Sequence, residues 1–284
     1  MNYLDKIARM TSKQNKKVRR INSIEVSNGD KGAESKAVSW ALARAGAIGV
    51  WPGTMIRNGS NYDFSSVVSG SGNFDLTPDG VVLDTHEIVD SKPSNIGKAF
   101  EFDGASHMYH TATSSFNHDA TETAVKSGQR GLTVMAWVYH GIGAGTETYM
   151  AQCSATSGNR SWQLLRTSSN TMRFRCSQLG SIWGTATHST ATLGATEWAF
   201  VWGTYERSTS IRVGLNDTST QVTTAIPGNL HANTTPGFTV GCIDATSPTS
   251  YFTGQMWMPM IFGRSMEVAE IQDYFSLTRG IFGV

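Results

Sequence analysis

The chain has 284 residues with 29 glycines, 16% charged and 10% aromatic side chains, and a net charge of +1. Its charged fraction lies well below the roughly 25% of an average soluble protein, and it holds 8 Trp, 8 Tyr and 12 Phe. A coiled coil and a largely disordered chain are thereby excluded, and the length fits one large domain with an appendage.

Charge is unevenly spread. Residues 1–20 hold Lys6, Arg9, Lys13, Lys16, Lys17, Arg19 and Arg20 against Asp5 alone, whereas the remainder holds 16 basic and 21 acidic side chains. The chain reads as a basic arm on a mildly acidic body, and such an arm is drawn to acidic surfaces. Leu4, Ile7 and Met10 recur at helical spacing within it. A helix that short orders mainly on a partner. Neither a secretory leader nor an apolar run of roughly 18–20 residues is visible, so the expectation is a protein not exported by the usual route and without a membrane partner.

Beyond Gly29 and Gly32, the spacing of Val38, Ala41, Leu42 and Ala45 predicts a helix over 33–45, stopped by Gly46, that packs on the body or on a neighbouring subunit. From Ile48 onward short β-type runs alternate with Gly, Asn, Asp, Ser and Pro. The better runs cover 98–102, 107–111, 132–140, 148–153, 162–166, 172–176, 198–205, 211–215, 238–243 and 254–262. This rhythm predicts an all-β sandwich or barrel of antiparallel strands. In the run from Leu132 to Tyr139 both alternating faces are apolar, which predicts a strand covered on both sides. Residues 181–195 form a low-complexity patch rich in Ser, Thr and Gly. A last helix is predicted from an N-cap at Ser265, through the stripe Val268, Ile271 and Phe275, to a stop at Gly280.

Five segments in order carry a family resemblance. They are Gly46 to Pro52, Asn95 to Gly104, Leu132 to Tyr139, Glu197 to Tyr205, and Phe252 through Ile271. Together they resemble the strands of the laminin G-like, concanavalin A-like jelly-roll domains. The resemblance implies a two-sheet antiparallel jelly-roll sandwich over 46–284, with residues 1–45 as a basic arm and linker helix. In such a sandwich Trp137 and Trp198 are expected to bridge two sheets roughly 10 Å apart. Many relatives hold calcium with an acidic residue after the opening Trp-Pro and another after the closing Phe-x-Gly. Here those stretches read Gly53-Thr54-Met55 and Gln255-Met256-Trp257-Met258, without a carboxylate, so no metal site is expected there. Asp63 and Asp244 are isolated acids that a different site would have to use.

Catalytic patterns are weak. A glycosidase needs two carboxylates facing one another, and the nearest pairs are Glu87 with Asp90 and Glu101 with Asp103, in a loop and at a turn. His107 and His110 diverge on a strand, so they do not chelate. Nucleophile-elbow and phosphate-loop patterns are missing. Cys153, Cys176 and Cys242 lack metal spacing and read as small buried hydrophobes. The expectation is a protein without catalysis or cofactor.

Two functions remain. Domains resembling this one occur in phage virion proteins, which implies a capsid decoration or tail-associated structural protein. Its basic arm would dock on the particle and its body would face outward on the virion surface, as a homo-oligomer, with nucleic acid not the expected partner. The alternative is a lectin-like module for host-surface glycans. Its candidate residues are Trp183, on a glycine-flanked segment, with Tyr109, His107 and Asn117.

Overall fold

The computed structural model describes residues 31–52, 56–58, 61–63, 76–79, 88–90, 98–110, 131–141, 145–155, 158–194, 196–222, 228, 230–231 and 237–284. The basic arm, Asn117 and Glu87 lie outside these residues.

Helix α1 (Lys31–Ala43) leads to β1 (Ala47–Val50). Short strands follow: β2 (Ile56–Asn58), β3 (Asn61–Asp63), β4 (Thr77–Asp79), β5 (Ile88–Asp90), β6 (Lys98–Asp103) and β7 (His107–His110). Longer ones come next: β8 (Gly131–His140), β9 (Glu147–Cys153), β10 (Arg160–Arg166), β11 (Thr171–Ser177), β12 (Trp183–Thr192), β13 (Trp198–Glu206), β14 (Ser210–Leu215) and β15 (Thr218–Val222). The order closes with β16 (Phe238–Val240), β17 (Thr253–Phe262) and helix α2 (Val268–Phe282).

The strands form two antiparallel sheets. The first has eight strands in the order β15-β14-β13-β8-β17-β6-β5, with β1 also paired to β17. The second has seven, β12-β11-β10-β9-β16-β7-β4, and β2 pairs with β3 alone. They are the two layers of the jelly-roll sandwich that the resemblance implies. A single buried core joins their inner faces, with Leu132, Val134 and Val138 from the first meeting Leu164, Met172 and Phe174 from the second.

The apolar doubling of β8 has the predicted cause, because its other face is roofed as well. Met135 and Trp137 belong to a second core beneath α1 and α2. This places the tryptophans differently from the expectation. Trp137 and Trp198 point away from the opposite sheet. Trp137 stacks on Phe282 at 4.0 Å between ring centroids and donates its Nε1–H to Thr278 Oγ1 at 3.0 Å. The inter-sheet positions fall to Trp51 and Trp162, which flank Phe238 at 5.3 and 5.9 Å. Alternation says that two residues share a face, but not which face meets the partner sheet.

Helix ends are also shifted. The N-cap of α2 is Glu267, in a reciprocal capping box with Glu270, and the helix runs through Gly280 to a left-handed Gly283. Ser265 does not cap it. Arg264 is buried, grips Glu270 through two bonds of 2.7 and 2.8 Å, and donates to Ala45 O at 2.8 Å, which ties α2 to the start of β1. Helix α1 packs on the body, with Trp40 set 4.9 Å from Tyr274 and 6.3 Å from Phe262. Pro259 interrupts β17, where the register to β8 shifts between Trp257 and Met260, as a proline in a central strand requires.

The low-complexity stretch holds the ten-residue strand β12, at the edge of the second sheet. Ala186 and His188 turn inward, and His188 reaches Thr218 Oγ1 on β15 at 2.9 Å, so the two sheet edges meet there. Hydroxyl and glycine content hid the strand's alternation.

Candidate functional site

The outer face of the first sheet is covered by the helices, which leaves the outer face of the second to be considered. Strand β11 sets its chemistry. Met172, Phe174 and Cys176 are buried inward, so Arg173 and Arg175 project outward together. The register carries that face across the sheet through Tyr109, Thr239, Ala151, Gln163, Arg175 and Thr185.

Trp183 begins β12 opposite Ser177 and rests, half-buried, on Ala151, Cys153 and Ile243. The Arg175 guanidinium lies 4.4 Å from the indole centroid and that of Arg160 lies 5.8 Å away, within cation–π range. Arg175 is held in place by Gln163, whose Oε1 accepts from its Nε at 2.9 Å and from its Nη2 at 2.5 Å. Gln163 in turn donates to Thr148 Oγ1 at 2.6 Å. Two buried polar side chains therefore fix the guanidinium before any ligand arrives.

The β11–β12 turn beside Trp183 exposes Leu179 and Ile182, at 65% and 69%. It bends at Gly180, whose φ of +73° suits glycine and whose Cβ would meet Gly158 O at 2.2 Å. Gly158 N–H donates to Gly180 O at 2.9 Å and His231 N–H to Ser177 O at 2.7 Å, which braces the turn. A rigid strand end thus presents an indole, guanidinium groups, the hydroxyls of Thr185 and Thr187, and an apolar tip.

The sequence candidates separate on this frame. His107 and Tyr109 share the outer face of β7, as their spacing predicts, with Met108 in the core. They stand five strands from β12, about 24 Å at 4.8 Å per strand. Trp183, His107 and Tyr109 therefore do not form one site. Asn117 lies outside the described residues. His107 is buried, between Tyr109 and Tyr251 at 6.0 and 6.1 Å, with Asp79 at 3.7 Å. Burial pushes its imidazole below the usual value, and Asp79 opposes the shift. The residues that the sequence reading missed are Arg160, Gln163, Arg173 and Arg175. The i, i+2 arginines flanking Phe174 were the available signal.

Other clusters are engaged in contacts within the fold. Glu147 contacts His140 and Arg166, and the three are 2–4% exposed, joining β8 to β9 and β10 away from solvent. Asp103 Oδ1 accepts from Ala105 and Ser106 N–H at 2.9 and 2.8 Å, so the acid of the Glu101–Asp103 pair is committed to its turn. Asp244 accepts from Ser154 Oγ and Thr246 Oγ1, both at 2.7 Å, and from Thr246 N–H at 2.9 Å. Among the described residues no group of three His, Cys, Asp or Glu side chains is placed to hold a metal. Cys153, Cys176 and Cys242 are buried, unbridged thiols; burial pushes Cys153 up to about 12 and raises the other two as well. No helix of the described residues is long and apolar enough to cross a membrane.

A family model for the concanavalin A-like lectin/glucanases superfamily, of laminin G type, matches residues 111–272. No curated protein sequence matches the chain. Among solved structures, the binding domain of botulinum neurotoxin serotype G is similar at 12% identity and a TM-score of 0.55, covering 81% of this chain and 51% of that one. The binding domain of botulinum neurotoxin DC in complex with SialylT is similar at 14% identity and 0.51, covering 82% and 52%. The serotype D ligand binding domain in complex with N-acetylneuraminic acid gives 10% and 0.52, covering 84% and 52%. The chain thus spans about half the length of these neighbours, and at such identities the likeness is one of fold.

Proposed function

The chain belongs to the concanavalin A-like lectin/glucanases superfamily, and from that premise we propose that it is a lectin-like module without catalysis, holding a glycan at the partly exposed Trp183 end of the outer face of its second sheet. The observation that carries this reading is the half-exposed indole fixed on a strand beside the ordered Arg175–Gln163–Thr148 chain. Sugars combine apolar C–H faces with hydroxyl rims, and an aromatic plane beside preset polar groups matches both. Support of a coarser kind comes from the neighbours described with sialyl sugars, whose ligands are their own. Affinity electrophoresis of the wild type and Trp183→Ala through glycan-containing gels tests it. Retardation lost in the variant is expected, and equal retardation removes Trp183 from the site.

A second reading concerns address. The seven basic side chains of residues 1–20 favour a decoration or tail-associated protein of a virus particle, whose arm fastens on an acidic shell and whose lectin face points outward, in several copies. Long-range attraction between such an arm and an acidic shell requires no prior order. Deletion of residues 1–24 is expected to abolish particle association, and particles that retain the truncated chain contradict it.

A further inference from the structure

Among the described residues, Arg160 and Arg175 at Trp183, and Arg173 next to Arg175 on β11, have no carboxylate partner. Arg160 donates to Ser181 O at 3.4 Å and to Ala155 O at 3.3 Å, Arg173 to Thr187 Oγ1 at 3.2 Å, and Arg175 to Gln163 Oε1. All these acceptors are neutral. Among the described residues none of the three arginines has a carboxylate within ion-pair distance, whereas Arg44, Arg166 and Arg264 each have one. Asp244, whose charge reaches Cys153 together with those of Arg175 and Arg160, spends its oxygens on Ser154, Thr246 and backbone N–H groups.

The cluster opposes itself. Burial lowers the Arg175 guanidinium to about 10, and the charges of Arg173 and Arg160 press in the same direction. Arginine keeps its proton at neutral pH, so the repulsion persists in the folded protein. An anion seated among the three relieves it. Planar guanidinium forks match carboxylate and sulfate oxygens in paired hydrogen bonds, which a neutral hydroxyl rim does not reproduce.

We infer that the ligand of the Trp183 face is an acidic glycan, its carboxylate or sulfate group held by Arg160 and Arg175 at the indole and by Arg173 next along β11, while a sugar ring lies against the part of the indole that stays exposed. The sugar part rests on the glycan reading above; the charge rests on the arginine geometry. Leu179 and Ile182 extend the apolar side of the same surface, so a ligand with alternating charge and C–H faces uses both halves.

Matched probes separate the two parts. The full chain is titrated with polygalacturonate and its methyl ester, with dextran sulfate and dextran, and with poly-L-glutamate, at two salt concentrations. At least tenfold tighter binding of one acidic polysaccharide than of its neutral counterpart is expected, weakening with salt, with poly-L-glutamate at least tenfold weaker than the favoured acid. Arg173→Gln and Arg160→Gln, on partly exposed side chains, should each reduce that affinity about fivefold to tenfold with an unchanged thermal midpoint. Equal binding of charged and neutral forms overturns the inference and leaves the glycan reading standing. Poly-L-glutamate binding as tightly as the acidic glycan keeps the anion site and overturns the sugar. Unaltered affinity in both variants, or binding of none of the five probes, overturns the assignment.

Discussion

At Gly203 there is no room for a methyl group. A Cβ built there would lie 2.4 Å from Cγ of Phe174, which rises from the opposite sheet into the gap that the glycine leaves. Gly203→Ala is therefore expected to destabilise the sandwich by roughly 1–3 kcal/mol through overpacking. Thermal unfolding should show a lowered midpoint, and Phe174→Leu in the double variant should restore part of it. The same residue scale explains where the sequence misled. Trp137, Trp198 and Trp183 are equally large and apolar on paper, yet two lie under helices and the third sits beneath Arg175 on the opposite side of the molecule. Size predicts burial; neighbours decide against what.

Helix α1 was legible as an element, because its small residues mark one face, and Ala37 and Ala41 are fully buried. What the pattern did not reveal is the environment of Glu34. A carboxylate in a first turn normally gains from the helix dipole, but here burial raises it to about 7, and the Tyr274 hydroxyl is raised first by its own burial and then by the charge of Glu34. The protonated form favours the docked helix. Because the folded value exceeds the unfolded one, near 4.5, this contribution is complete below pH 4.5 and disappears as pH rises through 7. The wild type is expected to match Glu34→Gln in thermal midpoint near pH 4.5 and to fall below it by pH 8. A difference between the two that does not change with pH would contradict the assignment. At the other helix, the reciprocal bonds of Glu267 and Glu270 outweigh the preference for serine that Ser265 suggested, because Arg264 already positions Glu270. Strand β12 escaped notice for a related reason: at a sheet edge, threonine on one face and small residues on the other suffice, so no hydrophobic run marks it.

Across the whole molecule, the buried clusters of the described residues draw on α1, the two sheets and α2. Removal of residues 1–24 is expected to leave one cooperative unfolding transition at an unchanged midpoint, as followed by calorimetry; a shift of several degrees would mean that the arm packs on the body. Turn spacing and strand alternation, which act between neighbours along the chain, determined by themselves that the protein is an antiparallel β sandwich or barrel with a helix near each end of the described chain, and the family resemblance of five segments selected the sandwich. They also placed Asp103-Gly104 in its turn and Trp183 beside a glycine-flanked bend. Which tryptophans fill the space between the sheets, that Tyr109 and His107 stand five strands from Trp183, and that Arg160 and Arg175 gather beside it were decided only in three dimensions. Those outcomes depend on register, and a strand's neighbour is chosen by the summed packing of all its partners rather than by anything within its own ten residues.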